Sequence, residues 1–539
     1  MMKKAIKKLL AALLAVAMVC AMAIPAFAYN PGETEEDLNK NHSYIAFQIF
    51  KGVISKDNPT LSGVDWGQHI PDDEDFLAEL KRDLTIGGEF ENATTPQDVL
   101  AVISKWHDSD NNSIAFARFV CHYLYSKGDP KSSIVGGGGA IKIPEPGYYL
   151  IVDNIDIKEG DFYHAYNSFL LVNDTHQGEY NVIINHKVVK PTVEKKVYDN
   201  DNNDIGSTGG WGSSADHAIN EKFQFQLIAK LPASKDNGRA YDYYDKYTVC
   251  FNDTLSAGIT FDNLDTVKIA NVDGGDSKEI TNYKFDDTDL HEAGHPTSFK
   301  LSIDDVKTCA AAAGLNLNDG ATITVTYTAH LNDKATVNTA NGSNTTDNKN
   351  SVFLQYSNNP RIDTSLDHTT TSDVCVYTYQ LNNTKRQNTE DGPVLEGAGF
   401  RLYSDEACND AQEIKLKKNT DGTYSPYFGA DAGVEMFSDK DGKFNVKGLD
   451  AGTYYLKETK TPADYNPCGV TPVTITANHT KDHVDLSGNL STTIINKKAG
   501  GITLPSTGGI GTTIFYVVGG GLMVAAIVLL VTKKRMENK

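Results

Sequence analysis

The polar side chains that could do chemistry in this sequence lie within strand-like patterns of apolar residues. The segment 193–197 alternates, so Lys195 shares a face with two valines and is predicted to point inward. Asp253 continues the apolar face of its own strand and is the preferred acid, with Asp245 as the alternative. A lysine amine attacks carbon only when neutral, and its ordinary pKa of ~10.4 keeps it charged in water at neutral pH. Burial lowers that pKa and raises the pKa of a carboxylic acid, so a buried pair can act as nucleophile and proton carrier.

The C-terminal segment combines a short motif with one long apolar run. The motif consists of Leu504, Pro505, Ser506, Thr507 and Gly508. The mostly apolar stretch 514–531 follows and ends at the basic residues 533–535, which is the pattern of a membrane-spanning helix with a cytoplasmic basic end. This order resembles the LPXTG sorting signal of Gram-positive surface proteins rather than an ordinary single-span anchor. The resemblance implies that a sortase cleaves after Thr507, which becomes a thioester on the enzyme, and that the helix is a temporary anchor.

The N-terminal end indicates export. Lysines precede the apolar run 9–23, and a small-x-small site lies at 26–28, so residues 1–28 are predicted to be a signal peptide.

The chain has 539 residues and a formal net charge of -20, which argues against a nucleic-acid partner. The length allows about three domains.

The remaining sequence predicts an all-β protein of tandem immunoglobulin-like β-sandwich domains, the first with helical insertions. Short alternating segments with Gly, Asn and Asp turns are typical of this class. The predicted boundaries are 29–188 for an N-terminal domain, 189–366 for a middle domain, 367–498 for a C-terminal domain and 499–539 for the sorting signal, membrane segment and basic tail. Helical spacing of apolar residues occurs at 75–84, 96–107 and 114–125.

The C-terminal domain resembles a Cna B-type domain through Lys385 and the segments 395–400, 452–458 and 495–497. Both faces of the strand that holds Glu458 carry a tyrosine, so alternation alone leaves its direction open. The resemblance implies that Glu458 points inward as proton carrier, that Lys385 is the nucleophile and that Asn496 is the electrophile. These side chains would form an autocatalytic isopeptide bond.

The middle domain resembles the isopeptide-forming middle domain of backbone pilins. The segment 350–360 matches the closing strand of that family, and Asn358 shares a face with the apolar residues of the strand. The resemblance implies a bond between Lys195 and Asn358, with Asp253 as its acid and Asp245 as the alternative.

A lysine between the first two domains is the predicted acceptor for polymerisation. The strand 180–187 lies where backbone pilins carry a pilin motif, although Asn185 and His186 replace its usual Tyr and Pro. Lys187 is the preferred acceptor because it ends the alternating strand, and Lys190 is the alternative.

No metal site or cofactor is predicted. The acidic loop 199–204 has the composition of a calcium ligand set but lacks the Gly and terminal Glu of an EF-hand, so a solvated loop is favoured. Seven cysteines include Cys20 within the signal peptide, and no CxxC pattern occurs. The family resemblance implies a disulfide between Cys408 and Cys468. The pattern does not assign the remaining cysteines, Cys121, Cys250, Cys309 and Cys375, for which unpaired thiols are favoured.

Together the resemblances imply a major, or backbone, subunit of sortase-assembled pili rather than an enzyme. Its expected partners are other copies of itself, pilin-class and housekeeping sortases, tip or basal pilins, and peptidoglycan, at the cell surface. The alternative is a wall-anchored adhesin or pilus-tip subunit that binds a host or dietary ligand. Such a protein needs the sorting signal but no acceptor lysine.

Overall fold

The structure, a computed structural model, describes residues 43–500. The description leaves out the following residues within this range: 56–57, 107–110, 128–133, 138–139, 154–166, 173–179, 184–189, 201–209, 233–243, 273–276, 292–294, 319, 340–341, 343, 360–362 and 489. The predicted signal peptide, Lys187, the motif 504–508 and the apolar run 514–531 lie outside the described residues. Among the residues described, no helix has the length and apolarity needed to cross a membrane.

The N-terminal domain is a β-sheet with helices packed against it. Its strands are β1 (Ser43–Ser55), β2 (Asn58–Trp66), β3 (Ile134–Gly137), β4 (Ala140–Ile143), β5 (Gly147–Asp153), β6 (Asn167–Val172) and β7 (Tyr180–Ile183). They form one sheet in the order β6-β5-β1-β3-β4-β7, with β2 on β1. The helices are α1 (Asp73–Arg82), α2 (Pro96–Ile103) and α3 (Asn111–Ser126), with a 3₁₀ turn at Gly87–Phe90. Apolar faces such as Phe76 and Leu80 of α1 pack on Phe47 of β1.

The middle domain is a sandwich of two sheets. Its elements are β8 (Thr192–Asp199), β9 (Gly210–Gly212), β10 (Ser214–Asp216), β11 (Lys222–Lys230), β12 (Val249–Leu255), β13 (Ile259–Ala270), β14 (Lys278–Glu279), β15 (Lys284–Asp286), a 3₁₀ turn at Thr288–His291, β16 (Thr297–Ile303), α4 (Val306–Ala312), β17 (Thr322–Leu331), β18 (Lys349–Ser357), β19 (Leu366–His368) and β20 (Ser372–Tyr377). One sheet has the order β14-β13-β17-β11-β8-β9. The other has the order β10-β20-β18-β12-β16-β15, with β19 on β18. Strict alternation of buried and half-buried residues along β11 and β17 directs one face of each strand into the core.

The C-terminal domain is a second sandwich. Its elements are β21 (Tyr379–Gln387), β22 (Gly399–Tyr403), a 3₁₀ turn at Asp410–Gln412, β23 (Glu413–Ile414), β24 (Leu416–Lys418), β25 (Tyr424–Pro426), β26 (Met436–Phe437), β27 (Val446–Leu449), β28 (Gly452–Lys460), β29 (Thr471–His479), β30 (Val484–Gly488) and β31 (Ser491–Asn496). The sheets run β24-β25-β27-β21-β31 and β23-β22-β28-β29-β30, with β26 on β22. Their inner faces enclose one apolar cluster that includes Phe400, Leu456 and Val473.

The predicted all-β class is confirmed, with helices in the first domain. The junction between the two sandwiches lies later than predicted. Leu366–His368 and Ser372–Tyr377 both pair with β18, so the middle domain extends to Tyr377 rather than ending at residue 366. Thr378 alone separates β20 from β21, and its side chain is buried. The two sandwiches therefore join through nearly continuous strand rather than through a flexible linker.

Candidate functional site

The strands of the C-terminal sandwich bring Lys385, Glu458 and Asn496 together in its core. Lys385 and Asn496 occupy inward positions of β21 and β31, which lie side by side and parallel. In this register Lys385 is opposite Ile494, so the long lysine side chain reaches along the sheet to Asn496 two residues further on. Glu458 reaches the pair from β28 of the facing sheet.

The side-chain geometry of this triad suits amide chemistry. Lys385 Nζ contacts Asn496 Oδ1 and lies 3.6 Å from Glu458 Oε1. Asn496 Nδ2 donates to Glu458 Oε1 at 2.7 Å. All three side chains are buried, with zero exposure for those of Lys385 and Glu458. The side-chain nitrogen of Asn496, which would leave as ammonia, is thus hydrogen-bonded to the Glu458 carboxyl group, which could protonate it.

The surroundings of the triad favour a neutral amine. Lys385 Nζ lies 5.2 Å from the centre of the Phe400 ring, and burial lowers the pKa of Lys385. Glu458 Oε2 is held by the backbone N–H of Cys468 at 2.9 Å and by the Thr461 hydroxyl at 3.1 Å. These two donors fix the carboxylate so that its other oxygen faces the reacting groups.

The middle sandwich contains a second buried lysine beside an acid. Lys195 on β8 and Asp253 on β12 both have side chains with zero exposure, and Lys195 Nζ contacts Asp253 Oδ2. Burial lowers the pKa of Lys195 to about 8, against the attraction of the Asp253 carboxylate. Burial also raises the pKa of Asp253. Both shifts favour the neutral forms that an attacking amine and a proton-donating acid require.

Tyr327 and Asn350 complete this second site, and neither residue was predicted from the sequence. The Tyr327 hydroxyl accepts from Lys195 Nζ at 3.1 Å and donates to Asp253 Oδ1 at 3.1 Å. Asn350 Nδ2 also donates to the Tyr327 hydroxyl, and Asn350 is fully buried. Among the described residues, Asn350 Oδ1 has no hydrogen-bond partner. The amide that lies beside the Lys195–Asp253 pair is therefore that of Asn350.

The prediction that Asn358 is the bonding partner of Lys195 is wrong. Strand β18 pairs with β12 so that Val352 is opposite Asp253, whereas Tyr356 is opposite Val249 at the far end. Asn358 lies beyond that far end, about 27 Å along the strand from Asn350 at ~3.4 Å per residue. It is buried there, and its Oδ1 accepts from the Ser365 hydroxyl at 2.8 Å. Asn358 therefore has a structural contact away from the lysine.

The alternative acid, Asp245, is also separate from Lys195. It forms ion pairs with Arg118 and, at 3.2 Å, with His122, both on α3 of the N-terminal domain. This residue therefore links the first two domains, and Asp253 is the acid that contacts Lys195.

The predicted disulfide between Cys408 and Cys468 is contradicted, because both cysteines are free. Cys468 lies in the segment between β28 and β29 and packs against the core of the domain, where its Sγ is 3.6 Å from Lys385 Nζ. Burial raises the pKa of Cys408, and the positive charge of Lys457 opposes that rise. Lys457 neighbours Glu458 and so points to the opposite face of the strand. Cys121, Cys250, Cys309 and Cys375 are buried, and none of them forms a disulfide with another described residue.

Of the two candidate acceptor lysines, Lys187 lies outside the described residues. Lys190 is half-buried, two residues before β8. Burial raises the pKa of Asp367, and the positive charge of Lys190 opposes that rise. Lys190 is thus within electrostatic reach of the Asp367 carboxyl group of the middle domain.

Comparisons with known proteins identify two segments of the chain. Residues 381–489 match the model of the SpaA prealbumin-like fold domain, and residues 496–538 match the LPXTG cell wall anchor motif. No protein of curated function matches. The first match covers most of the C-terminal sandwich, with Lys385 and Glu458 but without β31, and the second begins at Asn496 and includes the sorting motif.

Solved structures similar to the chain include several pilins. The T6 backbone pilin of serotype M6 Streptococcus pyogenes is 15% identical, with 85% of this chain and 96% of that chain covered and a TM-score of 0.42. The full-length major pilin SpaD from Corynebacterium diphtheriae is 16% identical, with coverages of 85% and 93% and a TM-score of 0.40. A C-terminal fragment of the major pilin GBS80 of Streptococcus agalactiae is 20% identical, with coverages of 57% and 99% and a TM-score of 0.38.

The chain is therefore a surface protein of the kind that is attached to the cell wall through an LPXTG anchor. Its C-terminal sandwich is a prealbumin-like domain of the SpaA type. The resemblance to sortase-assembled pilins that the sequence predicted is confirmed over this domain and the anchor.

Proposed function

We propose that the protein is the backbone subunit of a surface pilus that a sortase assembles. The observation that carries the proposal is the pair of buried lysine–acid–asparagine sites, one in each sandwich, ahead of a wall anchor. An isolated buried lysine is costly, so two of them placed beside an acid and an amide need an explanation beyond packing. Internal cross-linking supplies that explanation.

Each site would form one isopeptide bond without a cofactor. The neutral lysine amine attacks the side-chain amide carbon of asparagine, a new C–N bond forms, and the original C–N bond breaks. The leaving –NH2 group takes one proton from the acid and departs as ammonia, and the proton that the attacking amine loses returns to the acid and restores it. The predicted bonds are Lys385–Asn496 with Glu458, and Lys195–Asn350 with Asp253.

Polymerisation would use the two ends of the chain. Sortase would cleave after Thr507 and hold its carboxyl group as a thioester, and Lys187 of a second copy would accept it. The contact joins different surfaces of the two copies, so it does not close on itself and propagates a filament. Tip or basal pilins would end the fibre, and a housekeeping sortase would attach it to peptidoglycan.

A boiled denaturing gel of cell-wall extracts tests this function. Cells with the unmodified chain should give a high-mass ladder, because isopeptide bonds survive heat and detergent. Lys187→Ala should abolish the ladder, whereas Lys190→Ala, the matched control, should leave it. Loss of the ladder only in Lys190→Ala would transfer the acceptor to Lys190. A lack of ladder in the unmodified strain would overturn the backbone proposal and favour a wall-anchored adhesin.

A further inference from the structure

A second group of buried polar side chains lies at the junction between the two sandwiches. Asp199 ends β8 and Asp216 ends β10 in the middle domain, whereas His479 ends β29 in the C-terminal domain. Asp199 and His479 are 1% exposed and Asp216 is 0% exposed. These three residues are separate from both lysine sites and have no part in the proposed bond formation.

The ligand-type atoms of this group converge. One atom from each residue lies within 4.8 Å of the other two. His479 Nε2 is 3.2 Å from Asp199 Oδ2 and 3.7 Å from Asp216 Oδ1. Among the described residues, neither carboxylate oxygen of Asp216 has a hydrogen-bond partner. A fully buried carboxylate that faces an imidazole without a hydrogen bond of its own indicates that a further group belongs between them.

The charges of the group indicate what that further group is. Two buried carboxylates carry two negative charges, and a protonated imidazole would neutralise only one of them. A divalent cation bound to neutral imidazole neutralises both, and it can coordinate the Asp216 oxygens, which accept no hydrogen bond from a described residue. Uncompensated charge is costly at a buried junction, so the divalent ion is the better solution.

The second nitrogen of the imidazole supports a metal ligand. His479 Nδ1 lies 3.0 Å from the Ser214 hydroxyl, which leaves Nε2 facing the two carboxylates. Metal-binding histidines characteristically have their other ring nitrogen held by such a hydrogen bond, which fixes the tautomer. The Tyr377 ring also stacks on His479 at 5.7 Å and limits its rotation. The imidazole is therefore held in one orientation by contacts from the middle domain.

We propose that Asp199, Asp216 and His479 bind one divalent first-row transition-metal ion of the zinc class and thereby clamp the middle domain to the C-terminal domain. Zinc bonds to imidazole and carboxylate of about 2.0–2.2 Å place tetrahedral ligands roughly 3.3–3.6 Å apart, close to the separations of 3.2 and 3.7 Å at His479 Nε2. An imidazole ligand favours zinc over calcium, which prefers six to eight oxygens. The site would supply a fixed angle between consecutive domains.

The full-length chain, purified in detergent and treated with EDTA, tests the proposal. We expect one Zn²⁺ per chain in calorimetric titration, and an increase of the thermal midpoint with Zn²⁺ but not with Ca²⁺. Asp216→Asn and His479→Gln should each weaken Zn²⁺ binding at least 10-fold, the range expected on losing a contact of a metal site. The control is Glu221→Gln, which changes a half-buried carboxylate of the neighbouring group His217, Glu221 and Asp450 and should bind Zn²⁺ normally.

Two outcomes would overturn the proposal. The first is an unmodified chain that binds no Zn²⁺ or is stabilised equally by Ca²⁺. The second is Zn²⁺ binding that is unchanged in both ligand variants. If a variant does not fold, the response of the unmodified chain to Zn²⁺ and Ca²⁺ still decides between these results.

Discussion

The two sandwiches use the same three functional groups in different arrangements. In the C-terminal domain the lysine and asparagine lie on adjacent parallel strands of one sheet, β21 and β31, and the acid reaches them from the other sheet. In the middle domain Lys195 is on one sheet, whereas Asp253 and Asn350 are on adjacent strands of the other. A Lys385–Asn496 bond would tie the first strand of a domain to its last, and a Lys195–Asn350 bond would tie one sheet to the other.

This difference indicates that formation of a lysine–asparagine bond depends on local geometry rather than on strand order. A buried lysine needs an acid and an amide within reach, and either sheet can supply them. The mechanical consequences differ: the C-terminal bond would resist peeling of a terminal strand, whereas the middle bond would resist separation of the two layers. Both would close long loops, which limits the entropy of the unfolded chain as a disulfide does.

The largest expected effect is the loss of the middle bond. Asn350→Ala removes the electrophile, and a cross-link over a loop of this length is worth about 5 kcal/mol in the unfolding free energy. Asn358→Ala, the matched control, should keep the bond and lose about 1 kcal/mol for one hydrogen bond. Chemical unfolding and intact mass of each variant measure both effects. An unlinked Asn358→Ala chain with a linked Asn350→Ala chain would instead assign the bond to Lys195 and Asn358.

The C-terminal bond should contribute slightly less, because it closes a shorter loop. Glu458→Ala removes the proton carrier and should leave the chain one ammonia heavier, with the free energy of unfolding of that domain lowered by somewhat under 5 kcal/mol. Glu396→Ala changes an exposed acid of the same domain and should have no effect on mass. Calorimetry should show the middle transition unchanged in both variants, since its own triad is intact.

A smaller effect is expected at Tyr327, which has no counterpart in the C-terminal triad. Tyr327→Phe removes a hydroxyl that contacts Lys195, Asp253 and Asn350. A hydrogen bond between neutral groups is worth about 1 kcal/mol, so formation of the middle bond should slow about 5-fold. The fraction of unlinked chain, followed by mass after a pulse of expression, measures this rate. Equal slowing of both bonds would contradict a local effect of Tyr327.

The smallest effect is expected at Cys468. Cys468→Ala removes a thiol near Lys385 but no member of either triad, so both bonds should form and the stability should change by about 1 kcal/mol. Without reductant, the unfolded chain should still react with a thiol reagent at both Cys408 and Cys468. Protection of both thiols until reductant is added would reinstate the disulfide.

Alternation along the strands predicted much of this arrangement. It placed Lys195 inward between valines and Asp253 on an apolar face, and the two side chains are in contact. Alternation predicts the face of the sheet on which a side chain lies, but it does not predict which residue of the neighbouring strand lies opposite. Asn350 and Asn358 have the same phase in the alternating pattern, so only the pairing of Asp253 with Val352 distinguishes them. Tyr327 shares the inward face of Ile323 and Val325, a signal that was present in the sequence.

The junction group shows what strand patterns cannot predict. Asp199, Asp216 and His479 belong to three strands of two domains, and no spacing in the sequence relates them. Their proximity follows from the docking of β10 and β29, together with the short connection at Thr378. Ligand sets of this kind become visible only once the domains are assembled.

If both buried triads react, the intact mass of the exported chain should be lower by two ammonias than the sequence requires. Proteolysis of that chain should release cross-linked peptides that join Lys195 to Asn350 and Lys385 to Asn496. A chain that has the full mass of its sequence and yields only linear peptides would show that neither triad reacts.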